Sequence, residues 1–390
     1  PEIAEKMSIY IKDKQNNHAY DNIHTLDKFV HQLTTDLLSV FPDGHLGINV
    51  LQKREVDMHP GESEEDWWNR RVKEAQYNNF YFRKIEWLPG NIGYLDIRKF
   101  EYAIISGPTA VAVMQFLAYS DALIIDLRQN PGGRELTQLF LSYFFEDHRV
   151  HFNTMKDNKR KITRQWWTMT YVPGKRMPDI PIYILTSRGT GSAAEEFAYT
   201  LKHLNRAVII GDTTAGAAHM THPHMYPELN IEIYMPDGRP IHPITGKDWE
   251  GIGVIPHISV SPEKAFDVAY TEALDTLYKN ATEDINKFRI EWVKKELDAK
   301  LNPIIMIPET MKKYVGTYGP RKISLENGIL FYQRENRPKH RLVPLGDDWF
   351  KLDDLDYFRI QFTKNESGNV IELLGVHDDG SRDANKRTTK

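Results

Sequence analysis

The sequence predicts an α/β fold with a largely parallel central sheet, an N-terminal helical segment before it and a small antiparallel β domain after it. Three observations carry that expectation. Leu26, Phe29, Val30, Leu33, Leu37, Leu38 and Phe41 keep the 3.6-residue period of a helix with one buried face. From about residue 80 to 280, short apolar runs alternate with helical patterns, as in a parallel sheet covered by helices. Beyond Pro303 and Pro308 only short strand patterns remain, punctuated by Asn327-Gly328 and Gly368.

Taken in order, the chain divides into residues 1–79, 80–280, 281–308 and 309–390. Pro42-Asp43-Gly44 stops the first helix, and His45 to Val50 reads as a strand. The polar run Pro60 to Glu65 is a loop leading into a charged helix near Asp66 to Ala75. In the core, Ile92–Ile97, Ala122–Leu127, Ile182–Thr186 and Ala207–Ile210 are expected strands. Between them fall helices at about Pro108–Ala118, Arg134–Phe145 and Ser192–Leu204, and two polar-alternating strands between 149 and 171. Ser261-Pro262 supplies a cap and a first-turn proline for a further helix, and Thr282 to Lys300 forms a charged linker helix. Strands at 314–318, 322–325, 329–333, 340–344, 358–363 and 370–377 complete the C-terminal β domain.

Composition narrows the partners. At 390 residues and a net charge of −4 the chain can bury a large core, and it carries no basic stripe of the kind nucleic acid requires. No apolar run has the length of a membrane span. The absence of cysteine removes disulfides, thiolate catalysis and cysteine metal sites, and decides nothing about compartment. No signal-peptide pattern stands at Pro1, as would also be true of a mature chain.

Four segments carry chemistry. Ser192, in Arg188-Gly189-Thr190-Gly191-Ser192-Ala193-Ala194-Glu195, follows an apolar strand and opens a helix, where amides steady a developing negative charge. The same Ser192–Glu195 spacing is also that of a simple capping box. Asp126 to Gly133 ends in Gly132-Gly133, whose amides can approach a ligand closely or can merely make a strained turn. His45 lies at a helix-to-strand junction; histidine is the usual general base, although with fifteen in the chain any one of them is more often a surface or core residue. Glu250, between Trp249 and Gly251, is placed to orient an imidazole or is a plain loop acid. His219, His222 and His224 form His-x2-His-x-His, read as a substrate-side or solvent-facing loop rather than a zinc site, so no metal and no cofactor are expected. Arg134 reads either as a partner for a substrate carboxylate or as a surface arginine at a helix start.

Together these segments resemble the tail-specific, or carboxy-terminal-processing, serine proteases. The branch they are most similar to holds tricorn protease and the repeats of interphotoreceptor retinoid-binding protein. The resemblance runs through Asp126–Gly133, Thr186–Phe197, Gly211–Gly216, Pro243–Gly246 and Trp249–Pro256, and covers about residues 20–280. It implies a layered core like that of ClpP and crotonase. It implies Ser192 as nucleophile, His45 as base, Glu250 as its orienting acid, and Ala193 with Gly132 or Gly133 as the oxyanion hole. Many members instead use a lysine 25 positions after the serine; that position here is Ala217, and Lys202 is too far along the helix to replace it. Helix and sheet signals fill the stretch between His45 and Asp126, leaving no room for the family's PDZ insertion.

The expected function is therefore that of a serine peptidase (a hydrolase) acting on peptides or unfolded proteins through a Ser192–His45–Glu250 relay and an acyl-enzyme. Arg134 and His219 are its candidate substrate contacts. The alternative is a non-catalytic binder of apolar ligands or peptides on the same scaffold. An ester-directed α/β hydrolase fits less well, because Gly-x-Ser-x-Gly is missing around Ser192. Family habit implies a bacterial periplasmic or cell-surface setting.

Overall fold

The short apolar runs of the core pair as their alternation predicts. In the computed structural model, which describes residues 2–51, 62–146, 148–157 and 160–388 without the His222 side chain, a six-stranded sheet organises the first of two units, Pro1–Ala273. Its spatial order is Ile258–Ser259, Val208–Gly211, Ile182–Thr186, Ala122–Asp126, Ile92–Ile97 and Phe82–Leu88. Every pairing is parallel except the last, a hairpin turned at residues 89–91. Ala122–Asp126 and Ile182–Thr186 are buried at every residue, which is why they read as continuous apolar runs rather than alternating ones. Helices Ala103–Phe116, Leu136–Tyr143 and Ala193–His203 supply the covering layers, and Phe100, Phe140, Phe144 and Phe197 meet ring to ring in the core between sheet and helices.

Two boundaries differ from expectation. The helix expected to start at Pro108 begins at Ala103, so Pro108 lies inside it; the turn before it is held by the Glu101 carboxylate accepting from Tyr102 N at 2.9 Å. The charged helix begins at Glu64, with Ser63 as its cap accepting from Asp66 N at 3.1 Å, while Pro60 and Gly61 of the expected loop lie outside the described residues.

A second, antiparallel sheet in the same unit is the larger departure. Gly47–Val50, Ile231–Ile241, His151–Asp157, Ile162–Trp167 and Met220–Tyr226 form it, with Gly47 opposite Tyr234 and Met155 opposite Pro240. The histidine-rich stretch expected as a loop is thus strand Met220–Tyr226, paired among the described residues only with Ile231–Ile241, an edge position that tolerates Pro223. Pairing of Gly47–Val50 with Ile231–Ile241 is what anchors the His45 end of the chain to this unit.

His242 leaves this sheet for the core. It is 2 % exposed, neither ring nitrogen has a partner among the described residues, and the Tyr199 ring stands edge-on 5.4 Å away. Burial, with the neighbouring His203 and His151, lowers its pKa to about 4. The unfolded chain therefore takes up a proton from about pH 6.5 downward that the fold refuses. Stability is full above that value and falls as pH drops toward 4, by about 2 kcal/mol at pH 5 for this group. Urea unfolding at pH 7 and pH 5 should show a smaller acid loss in His242→Phe than in the native chain.

The second unit, Leu274–Lys390, carries an eight-stranded antiparallel meander from Gly316–Tyr318 to Arg382–Lys386. A bridge from Tyr318 to Arg387 joins its two ends, so the sheet nearly closes as a barrel around Tyr318, Ile323, Leu330, Phe350, Ile360 and Leu373. Strands Trp349–Leu352 and Arg382–Lys386 were not anticipated; the first is only four residues long and the second is polar and exposed. Among the described residues no helix is long and apolar enough to cross a membrane.

Candidate active site

Strand Ile182–Thr186 ends in a turn pinned to its neighbour. Ser187 Oγ donates to Arg128 O at 2.5 Å, Thr190 Oγ1 to Leu127 O at 2.8 Å, and Gly191 N to Asn130 O at 3.0 Å. Ser192 follows with φ 49° and ψ −119°, a conformation that non-glycine residues rarely adopt, and helix Ala193–His203 starts immediately after it. Such a backbone costs about 1–3 kcal/mol and persists only where the surroundings over-determine it.

The Gly132-Gly133 turn presses against that serine. A Cβ on Gly132 would fall 2.6 Å from Gly191 O, 2.7 Å from Ser192 Cβ and 2.8 Å from Ala193 N; one on Gly133 would fall 1.8 Å from Phe100 O. Only glycines fit. The two amides are not equivalent. Gly132 N donates to Asn130 Oδ1 at 2.9 Å, whereas neither Gly133 N nor Ala193 N has an acceptor among the described residues.

Glu195 extends well beyond the capping role its spacing suggests. Its carboxylate is fully buried and accepts from Ser192 N at 2.9 Å, Ala217 N at 2.9 Å, Gly216 N at 2.7 Å and Thr214 Oγ1 at 2.5 Å. Burial pushes its pKa up, and these four donors pull it back only in part. The serine turn is thereby tied to residues 214–217. Lys202, at the far end of the helix, donates to Ile255 O at 2.5 Å.

From the other side, Glu250 holds the same stretch. It accepts from Gly44 N at 2.7 Å, Ala218 N at 2.7 Å and His219 N at 2.9 Å, and its Oε2 lies 3.9 Å from His45 Nδ1. Burial opposes its charge, but His45 and the three amides outweigh burial and bring its pKa down to about 2. At 3.9 Å the contact with His45 is one of charge rather than a hydrogen bond, and His45 Nδ1 has no other partner among the described residues.

A second histidine sits beside it. His219 Nδ1 is 2.6 Å from Oδ2 of the buried Asp43, whose Oδ1 accepts from His45 N at 2.9 Å, and His219 Nε2 faces Asp248 at 3.9 Å. Burial alone would lower the His219 pKa, but the bond to Asp43 and the charges of Glu250, Asp43 and Asp248 raise it. Asp43, His45 and Glu250 offer potential ligand atoms within 4.8 Å of one another, a spacing a cation can span. Both carboxylates, however, already spend their oxygens on amides and on His219. His219 is turned to Asp43 while His224 lies on the strand opposite Ile233, so these two are engaged separately; the third histidine of that motif, His222, has its side chain outside the description.

Ser192 and Ala193 open into a cavity of about 330 Å³ whose other walls include Gly133, Phe152, Trp166, His219 and Trp249. Arg134 lines it too, its guanidinium 5.2 Å over the Tyr102 ring. Glu196, Asn153 and Thr137 also face this space, and nothing in the sequence motifs singled them out. The available signal was small: a second acid, Glu196, directly after Glu195 in the first turn of the helix.

Residues 91–260 match the profile of the family described as Peptidase family S41. Over 184 residues the chain is 27% identical to a probable CtpA-like serine protease of Staphylococcus epidermidis, covering 45% of this chain and 35% of that protein. A protein of the same description from Staphylococcus aureus is 29% identical, covering 45% and 34%. The chain thus spans about a third of the length of the curated relatives it matches. Among solved structures, a photosystem II D1 C-terminal processing protease is 24% identical with a TM-score of 0.37, covering 44% of this chain and 43% of that one.

Proposed function

We propose, from the match of residues 91–260 to peptidase family S41, that this chain is a serine peptidase with Ser192 as nucleophile and His45 as its base. The observation that carries the reading is the double clamp on residues 214–219. Glu195 ties that stretch to Ser192, and Glu250 ties it to the turn that bears His45. Residues from three distant parts of the chain are thereby held on one short segment.

In this reading His45 takes the Ser192 proton as Oγ attacks a peptide carbonyl, and Glu250 stabilises the imidazolium across 3.9 Å. The oxyanion falls to the amides of Gly133 and Ala193, since Gly132 has spent its own on Asn130. His45 then gives the proton to the leaving amine, and water releases the acyl group from Ser192. His219 is the less suited base: its Nδ1 is 2.6 Å from Asp43 and its Nε2 faces Asp248 at 3.9 Å, and these acids raise its pKa and so favour the protonated ring. It serves instead as a wall of the cavity, as does Arg134. The substrates are peptides or unfolded proteins of the carboxy-terminal-processing kind. The setting is periplasmic or cell-surface, in keeping with the bacterial source of the curated relatives.

A fluorophosphonate probe tests this directly. It should label the chain once, at Ser192 by peptide mapping, and labelling should abolish cleavage of an unfolded protein such as reduced casein. Absence of labelling together with uptake of a lipophilic dye would favour the apolar-ligand binder instead.

A further inference from the structure

The cavity beside Ser192 contains an acid that the proposed hydrolysis does not use. Glu196 projects from the first turn of helix Ala193–His203, four residues after the nucleophile, and lines the same space as Ser192 and Ala193. Its Oε1 accepts from Asn153 Nδ2, and its Oε2 has only a long, 3.4 Å contact from Thr137 Oγ1. Asn153 is 3 % exposed, lines the cavity, and its Oδ1 has no partner among the described residues. One side of the cavity therefore presents a carboxylate with one weakly engaged oxygen and a carbonyl without a partner among the described residues, both acceptors.

No lysine or arginine among the described residues lies within ion-pair distance of Glu196. The arginines that line the cavity are engaged or peripheral: Arg160 is exposed and paired with Asp157, Arg164 is exposed, and Arg134 lies over Tyr102. Phe152, Trp166 and Trp249 supply apolar walls along which an alkyl stem can pack. Apolar walls leading to paired acceptors are the complement of a long side chain tipped with a cation.

We propose that Glu196, with Asn153, selects a lysine or arginine side chain at the substrate residue whose carbonyl Ser192 attacks. The inference rests on the serine-peptidase reading for the word substrate, while the cation site itself does not. Burial pushes the Glu196 pKa up, with Asn153 and Thr137 opposing, and a neighbouring cation acts in the same sense as those two. A substrate ammonium or guanidinium pairs with the Glu196 carboxylate and satisfies Asn153 Oδ1 at the same time. A purely apolar side chain leaves Asn153 Oδ1 unpaired and Glu196 Oε2 with only its long contact to Thr137, which is where the discrimination arises.

The test has a catalytic arm and a binding arm, both on the full chain. Cleavage sites in a peptide library, mapped by mass spectrometry, should follow Lys or Arg, with kcat/KM for Lys over norleucine of roughly 100-fold. Glu196→Gln should bring that ratio to within a few-fold of unity, with its thermal midpoint checked against the native chain. Calorimetric titration should show benzamidine binding in preference to neutral benzamide, and Glu196→Gln should lose that preference. Cleavage after apolar residues with Ser192 labelled overturns the inference and leaves the peptidase standing. Benzamidine binding that depends on Glu196, with Ser192 unlabelled, keeps the cation site and overturns the peptidase reading. Absence of benzamidine binding, or equal binding to native and Glu196→Gln protein, overturns the cation site whatever the catalytic arm gives. That comparison of benzamidine with benzamide on the native chain decides the matter even if Glu196→Gln fails to fold.

Discussion

Ser192→Ala and His45→Ala should each lower kcat/KM for peptide hydrolysis by roughly 10⁴- to 10⁶-fold, while His219→Ala costs far less. In the proposed relay the nucleophile and its base act as one unit, so removing either forfeits almost the whole of the chemical step. The residual rate reflects binding and the oxyanion amides of Gly133 and Ala193. His219→Ala is the control that decides between two histidines lying side by side. Its Nδ1 is 2.6 Å from Asp43 Oδ2, a better-formed pair than His45 and Glu250 at 3.9 Å, yet its second nitrogen also faces an acid. Carboxylates at both nitrogens favour the protonated imidazole, the form that has no lone pair to take a proton from serine. Initial rates and thermal midpoints of the three variants check the point. A loss in His219→Ala equal to that in His45→Ala would transfer the base to His219.

Glu195→Gln should destabilise the fold by about 2–5 kcal/mol and remove most activity, although Glu195 touches no substrate. Both of its oxygens are occupied, Oε2 by the amides of Ser192 and Ala217 and Oε1 by Gly216 N and the Thr214 hydroxyl. Glutamine replaces one of these acceptors with a donor. Whichever way the amide turns, an NH₂ group then faces an N–H within a fully buried site. The surroundings also keep Ser192 at φ 49°, and loosening that turn lets the serine relax into an ordinary helix start. Chemical denaturation gives the stability loss, and fluorophosphonate labelling rates on folded protein give the loss of positioning. Glu195 is a positioning residue, so its signature is slow labelling with little change in the affinity for peptide.

Much of the architecture was legible because it is locally encoded. The buried strands Ala122–Asp126 and Ile182–Thr186 announce themselves as unbroken apolar runs, and the helix after Ser192 by its cap and period. The second sheet was harder. Met220–Tyr226 and Ile231–Ile241 are rich in proline, histidine and charge, and they form strands because each supplies the other's backbone partners. Within the candidate site, the order of motifs along the chain singled out Ser192, His45, Glu250 and the Gly132-Gly133 turn as a set.

What only the tertiary structure decided is how each of those groups is employed. Gly132 and Gly133 are indistinguishable in sequence, but Asn130 takes one amide and leaves the other. Glu195 reads as a cap from its spacing, yet three of its four donors come from residues 214–217, some twenty positions later. Glu250 meets Gly44 across 206 residues. Glu196 and Asn153 become neighbours only when a helix of the core lies beside a strand of the second sheet. The sequence by itself determined most elements of the parallel core and named the candidate groups, since periodicity, caps and turn residues act over a few positions. Partnerships between polar groups depend on how separate elements come to lie beside one another, and that packing is a property of the whole chain.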